Sequence, residues 1–250
     1  MREFFNTVPL HAVETPGFLI ARNETTFADW IAFSESLSPE ELRARTPRSS
    51  ATGLNGSLHL EPTSGGWRLR LQPSSRVYEA RQDEKIRYDA RRLRNEQDWL
   101  RFPVSGIAFD DAIAYARWLD RTRRVPGARL CTEHEWERAA RGADARVYPH
   151  GNRLESDDAN FDRTYGKDPL AFGPDEVGSH PASRSPFDVD DLVGNVFEWV
   201  SSSVKPEEAV ARSASFYYGA STARANNRQT PERTLRDIGV GVRICATPQF

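Results

Sequence analysis

Cys131 and Cys245 are the only cysteines in this chain of 250 residues. Thiolates hold soft metal ions and act as nucleophiles, so any thiol chemistry is confined to these two positions. Cys131 precedes Thr132, a helix-capping residue, and Cys245 lies near the chain end in GVGVRICA. They stand far apart, and the reading is a reduced, cytoplasmic chain with two buried thiols; a disulfide is the alternative. The histidines, His11, His59, His134, His150 and His180, are scattered without the close spacing of a ligand pair. Each therefore reads as a satisfied or exposed imidazole. A Gly-rich phosphate loop and a G-x-S-x-G elbow are both missing. Glu198 sits beside Trp199 in VFEWV. A half-buried carboxylate needs a partner, either a metal ion or an arginine such as Arg243.

Residues 215–230, which begin SFYYGASTARANNRQ, suit recognition rather than reaction. Tyrosine offers a large contact area with few rotors, and serine, glycine and asparagine offer adaptable hydrogen bonds. Tyr217, Tyr218, Asn226, Asn227 and Arg228 are expected around one shallow concave face that takes a protein or small-molecule ligand. The alternative is a polar surface loop whose arginines pair with Glu232 or Asp237.

Several elements must hold these residues. Gly17–Ile20 reads as a short strand, and Thr26 with Asp29 as the capped start of a helix whose apolar side is Phe27, Trp30, Ile31 and Phe33. Ser38-Pro39-Glu40-Glu41 starts a second short helix. Ser57–Leu60 and Trp67–Leu71 alternate as strands of a hairpin, with Pro62–Gly66 as the turn. The charged stretch RQDEKIRYDARRLRNEQDW that follows reads as a solvated, ion-paired surface. Asp110-Asp111 is expected to cap a third helix, and Thr132 with Glu135 a fourth that ends at Gly142. Beyond Gly142 only turns, short strands and polar loops are expected. Gly194-Asn195 reads as a tight turn into a strand in which Phe197 and Trp199 alternate with Glu198.

The bulk properties exclude several classes. A formal net charge of −2 gives no reason to expect nucleic acid or a membrane surface as partner. No apolar run is long enough to span a bilayer, and the N-terminus lacks the layout of a signal peptide. Six Trp, thirteen Phe and seven Tyr supply core material, while sixteen Gly and sixteen Pro imply a loop-rich fold.

Six segments in order carry a resemblance. PVSGIAFDDAIAYARWL (103–119), RLCTEHEWERAARG (129–142), YPHGN (148–152), DDANFD (157–162), VGSHPASRSPFDVDDLVGNVFEWV (177–200) and GVGVRICA (239–246) resemble motifs of the formylglycine-generating-enzyme, or sulfatase-modifying-factor, family. LHAVETPGFLIARNETTFADWIAF (10–33) resembles the family's opening, most of all in versions fused to bacterial serine/threonine kinases. The resemblance implies an α+β fold related to C-type lectins: twisted antiparallel sheets, two main helices and long loops. One domain over 1–250 is expected, with a hairpin and charged insertion at about 46–101.

The family's copper-dependent oxidation uses two cysteines in the C-terminal loop, after a G-G-S-W/Y motif. Here Ser213-Ala214-Ser215-Phe216 stands in that place and no cysteine follows it before Cys245. Another branch binds iron through an additional helical domain that this sequence lacks, so neither copper nor iron is expected. Calcium sites of the family match Asp191, Gly194, Val196 and Glu198, and Asn160, Phe161 and Asp168. The resemblance therefore implies a non-catalytic recognition domain of a bacterial signalling protein, with a kinase domain of the same parent chain as a partner. Met1 as the only methionine and the missing M-G-S segment of the family's usual opening fit an excised domain. The alternatives are an enzyme with altered chemistry at the same pocket and a retroelement-diversified variable binder.

Overall fold

Thr26 opens the first helix as its sequence implies. In the computed structural model, which describes residues 12–51, 56–144 and 146–249, the Asp29 amide donates to the Thr26 hydroxyl at 3.2 Å. The Thr26 amide donates back to the Asp29 carboxylate at 2.9 Å. His11 lies outside the described residues. The elements run in the order β1 (Leu19–Ile20), α1 (Phe27–Ser34), α2 (Pro39–Arg45), β2 (Arg48–Ser49), β3 (Ser57–Thr63), β4 (Gly66–Gln72), β5 (Tyr78–Arg81), β6 (Ile86–Arg87) and β7 (Glu96–Gln97). Next come α3 (Phe109–Arg121), β8 (Ala128–Leu130), α4 (Glu133–Arg141), β9 (Phe197–Ser201), β10 (Ala209–Arg212), β11 (Arg228–Gln229), β12 (Val240–Val242) and β13 (Ile244–Ala246).

The strands form sheets in the orders β1-β13-β8, β11-β10-β9-β12 and β2-β3-β4-β5, with β6 and β7 as a separate pair. β12 runs parallel to β9; the other pairs are antiparallel. Chain ends thus meet in one sheet, with Ile20 opposite Cys245. α1 packs on α3 through aromatic rings: Trp30 stacks on Tyr115 at 5.3 Å and Phe33 meets Trp118 at 5.5 Å. Leu58, Leu60, Leu69 and Leu71 from the hairpin join the same buried cluster. The segment at 46–101 therefore shares the core of α1 and α3, where each buried large apolar side chain contributes about 1.5–3 kcal/mol.

Three local expectations change. The hairpin strands extend to Thr63 and from Gly66, so Ser64-Gly65 alone makes the turn; pairing of Pro62 with Trp67 draws the expected turn residues into the ladder. α3 begins at Phe109 with Ala108 as its cap residue, because the Asp111 carboxylate accepts the Ala108 amide at 2.9 Å. The acids are first-turn residues rather than caps. Finally, the charged stretch is only partly solvated. Arg91 is buried, ion-paired with Asp175 and held between the rings of Tyr88 at 3.6 Å and Tyr165 at 3.7 Å.

Candidate functional site

Pairing of β13 with β8 sets Cys245 opposite Arg129, two residues before Cys131. The sulfurs join in a disulfide, with the Cα atoms 4.8 Å apart and both residues fully buried. This corrects the expectation of two reduced thiols: strand pairing cancels a separation of 114 residues. The sequence argument for a reducing compartment goes with it. No helix among the described residues is long and apolar enough to cross a membrane.

The C-terminal loop leaves β10 at Ser213, whose φ of 74° lies in the left-handed region that favours glycine. Ser213, Ala214, Ser215 and Phe216 are all buried. Copper would need thiolates here, and both cysteine sulfurs are bonded to each other. The residues present do not fit that metal.

The five side chains expected on one concave face separate. Tyr217 packs against Phe172 at 5.1 Å; its hydroxyl donates to Pro73 O at 2.7 Å and accepts from the Gly56 amide at 2.9 Å. It is a tether between the loop and the N-terminal sheet, and burial pushes its phenol above the ordinary range. Asn227 is fully buried, its amide donating to Ser213 O at 3.2 Å. Arg228 is half-buried on β11 and ion-paired with Glu133 at 2.6 Å and with Glu208. Its partners are these acids, not the expected Glu232 or Asp237. Tyr218, at 40% exposure, and Asn226 remain at the surface. Tyr217, Asn227 and Arg228 thus act as internal fasteners.

Glu198 is the second residue of β9, opposite Arg212 on β10 and Gly241 on β12. It is fully buried. Arg243 binds it in a fork, with Nη2 2.8 Å from Oε1 and Nε 3.0 Å from Oε2. The Trp136 indole donates to Oε2 at 2.6 Å. Arg243 also donates to the carbonyls of Ala21, Arg22 and Asp190. Of the two readings for this carboxylate, the arginine is the one realised. Asp191 has φ 58° and accepts the Gly178 amide at 2.5 Å. Burial pushes its carboxyl up to about 6. Gly194, with φ 81°, lies against the Asn160 carbonyl, where a Cβ would come to 2.3 Å; Val196 is buried beside it in sequence. Arg243 and Trp136 thus engage both Glu198 oxygens, and calcium at this set stands only as what the family resemblance implies.

The second proposed calcium set is also committed elsewhere. The Asn160 side-chain amide donates to Gly173 O at 3.0 Å, and its carbonyl accepts the Asn195 amide at 2.8 Å. Phe161 is buried core. Asp168 is exposed and accepts the Leu170 amide at 2.9 Å. Among the described residues, no group of three or more His, Cys, Asp or Glu could hold a metal.

The sequence did not reveal a further buried network. Asp175 accepts from His180 at 2.7 Å and from the Tyr165 hydroxyl at 2.8 Å. Asn195 links it to Glu24, whose Oε2 accepts at 3.2 Å and whose Oε1 is buried without a partner. Burial first, then Asp191 and Glu198, raise the Glu24 carboxyl well above its ordinary value. His180 is five residues from Asp175, but Asn195 and Glu24 reach the network from 20 and 171 residues away, which no local pattern marks.

Comparison with known proteins places this geometry. The family described as "Sulfatase-modifying factor enzyme 1-like domain" matches residues 1–248. "Hercynine oxygenase" of Mycolicibacterium smegmatis is 32% identical over 210 residues, covering 80% of this chain and 41% of that protein. "Inactive C-alpha-formylglycine-generating enzyme 2" of Mus musculus is 36% identical over 159 residues, covering 56% and 48%. "Serine/threonine-protein kinase pkn1" of Chlamydia pneumoniae is 35% identical over 118 residues, covering 47% and 16%. The matched region spans less than half the length of each of these relatives. In fold, the chain is similar to PvdO from Pseudomonas aeruginosa, with a TM-score of 0.66 at 19% identity over 96% of this chain and 84% of that one.

Proposed function

The chain belongs to the sulfatase-modifying factor enzyme 1-like family, and from that premise we propose that it is a non-catalytic recognition domain of a bacterial signalling protein. One observation carries the reading: its only two cysteines are committed to a buried disulfide that joins the residue after β8 to β13. A soft-metal oxidation at the C-terminal loop would have no thiolate to work with. The family includes a relative named as inactive, and another is a serine/threonine kinase. A kinase domain in the parent chain is the partner this reading favours. Of the five residues expected to meet a ligand, Tyr218 and Asn226 are the ones exposed.

The test is direct. The protein, with and without copper, is incubated with a peptide carrying the sulfatase cysteine motif, and the peptide is followed by mass spectrometry. No conversion of thiol to aldehyde is expected. Time-dependent conversion, or stoichiometric copper or iron in the purified protein, would overturn the proposal.

A further inference from the structure

The solvent face of the N-terminal sheet carries a cleft of about 500 Å³ whose wall, among the described residues, contains no carboxylate; Glu61, Glu79 and Asp111 reach His59, Arg70 and Arg236 from outside it. Strand register explains its charge. Arg48 on β2 stands opposite His59 on β3, which stands opposite Arg70 on β4. Side chains alternate along a strand. Because Leu58, Leu60, Leu69 and Leu71 turn into the core, these three turn outward. Arg236 borders them from the C-terminal segment, its guanidinium ion-paired with Asp111 at 2.5 Å and donating to Gly106 O at 3.1 Å and Ala44 O at 2.9 Å, so Arg48 and Arg70 are the cations open to a ligand. Burial lowers its basicity first; Asp111 opposes this, while Arg48 and Arg45 add to the lowering. Arg48 Nη1 donates to the carbonyls of Arg43, Ala44 and Thr46, which orient the guanidinium without cancelling its charge.

We propose that this cleft binds the phosphate monoester group of a small molecule. Guanidinium forks match phosphate oxygens in geometry, and hydroxyls donate to the oxygens that remain. Ser50 and Ser57, on the cleft wall, supply the hydroxyls. Glu79, beside the cleft, pairs with Arg70 at 2.9 Å, but both side chains are about half exposed. Such a surface pair is weak and exchanges readily for a dianion. A carboxylate ligand would leave most of these donors unused. The volume is that of a small-molecule site rather than a macromolecular groove. The inference goes beyond the recognition reading, since its cations come from the N-terminal sheet and its test involves no catalysis.

Isothermal titration with phenyl phosphate tests it, with benzoate and phenol as the carboxylate and neutral counterparts. One-to-one binding of phenyl phosphate is expected, with benzoate about tenfold weaker or worse. Arg70→Ala should weaken binding about fivefold or more, as one donor fork is lost. Arg81→Ala, on β5 of the same sheet, should leave it unchanged. Arg48→Ala should act like Arg70→Ala; if circular dichroism shows it unfolded, Arg70→Ala decides alone, because that side chain is exposed. Absence of binding at about 10 mM phenyl phosphate, where an affinity of functional strength would saturate, overturns the proposal. So does equal binding of benzoate, or an Arg81→Ala loss as large as that of Arg70→Ala.

Discussion

At the scale of single residues, the Glu198–Arg243 pair is the most exacting feature. Both side chains are fully buried, and the arginine fork, the Trp136 indole and three backbone carbonyls satisfy them together. Removing one member leaves the other charged and unpaired in the core. Glu198→Ala should therefore cost about 3–5 kcal/mol of unfolding free energy, read from urea denaturation. Calcium and chelator should give the same melting temperature for the unsubstituted protein. A melting temperature that climbs with free calcium would mean that a metal competes with Arg243 for this carboxylate, since ligand bound only to the native state stabilises it by mass action.

At the scale of elements, the two-residue and three-residue strands at the chain ends need help. β1 and β13 are short, and β13 is fixed to β8 by three residue pairs. The Cys131–Cys245 disulfide clamps this sheet from inside and closes a loop with a separation of 114 residues. Chain entropy gives such a bridge about 4–5 kcal/mol. Reductant should lower the unfolding midpoint strongly, and a Cys131→Ser/Cys245→Ser variant should match the reduced protein while ignoring reductant. An unchanged midpoint under full reduction would show that the clamp contributes nothing.

At the scale of the molecule, a near-neutral surface charge covers a strongly ionic interior. Asp191 has a folded value of about 6 against an ordinary 3.8, so the folded state holds its proton more tightly than the unfolded state. Its effect on stability is therefore favourable at low pH, is lost as pH rises from about 3.8 to 6, and remains a penalty above that. Glu24 acts in the same direction. For His180, burial opposes the charge but Asp175 outweighs it and raises the imidazole above its ordinary 6.5. That contribution is present below 6.5 and fades as pH rises through the folded value. Asp175 runs the other way: burial raises it, yet His180 and Arg91 bring it below 3.8, so its contribution is lost in strong acid. Stability in urea should accordingly be higher near pH 5 than near pH 8. Asp191→Asn, which keeps an acceptor for the Gly178 amide and tolerates the left-handed backbone, should narrow that difference. An unaltered pH profile in this variant would remove Asp191 from the account.

Local patterns in the sequence determined the helix caps at Thr26, Ser38 and Thr132, the alternating hairpin and the order of the family motifs. Each depends on neighbours within a few residues: a hydroxyl meets an amide three positions on, and side chains alternate by the pleat. That was enough for the family and the fold, and for Arg243 as an alternative partner of Glu198. Tertiary structure decided the rest. Tyr217 and Asn227 read as ligand contacts because their composition is that of a paratope, but composition carries no burial; β10, the loop and Pro73 turn them inward. Cys131 and Cys245 became a disulfide only because β8 and β13 pair. Arg91 left a charged run for the core because Tyr88, Tyr165 and Asp175 converge on it from distant segments. The row of Arg48, His59 and Arg70 needed the register of β2, β3 and β4, and Arg236 needed the chain to return past Gly106. Contacts between residues far apart in sequence depend on the packing of whole elements, and no local spacing encodes which of many possible partners will be adjacent.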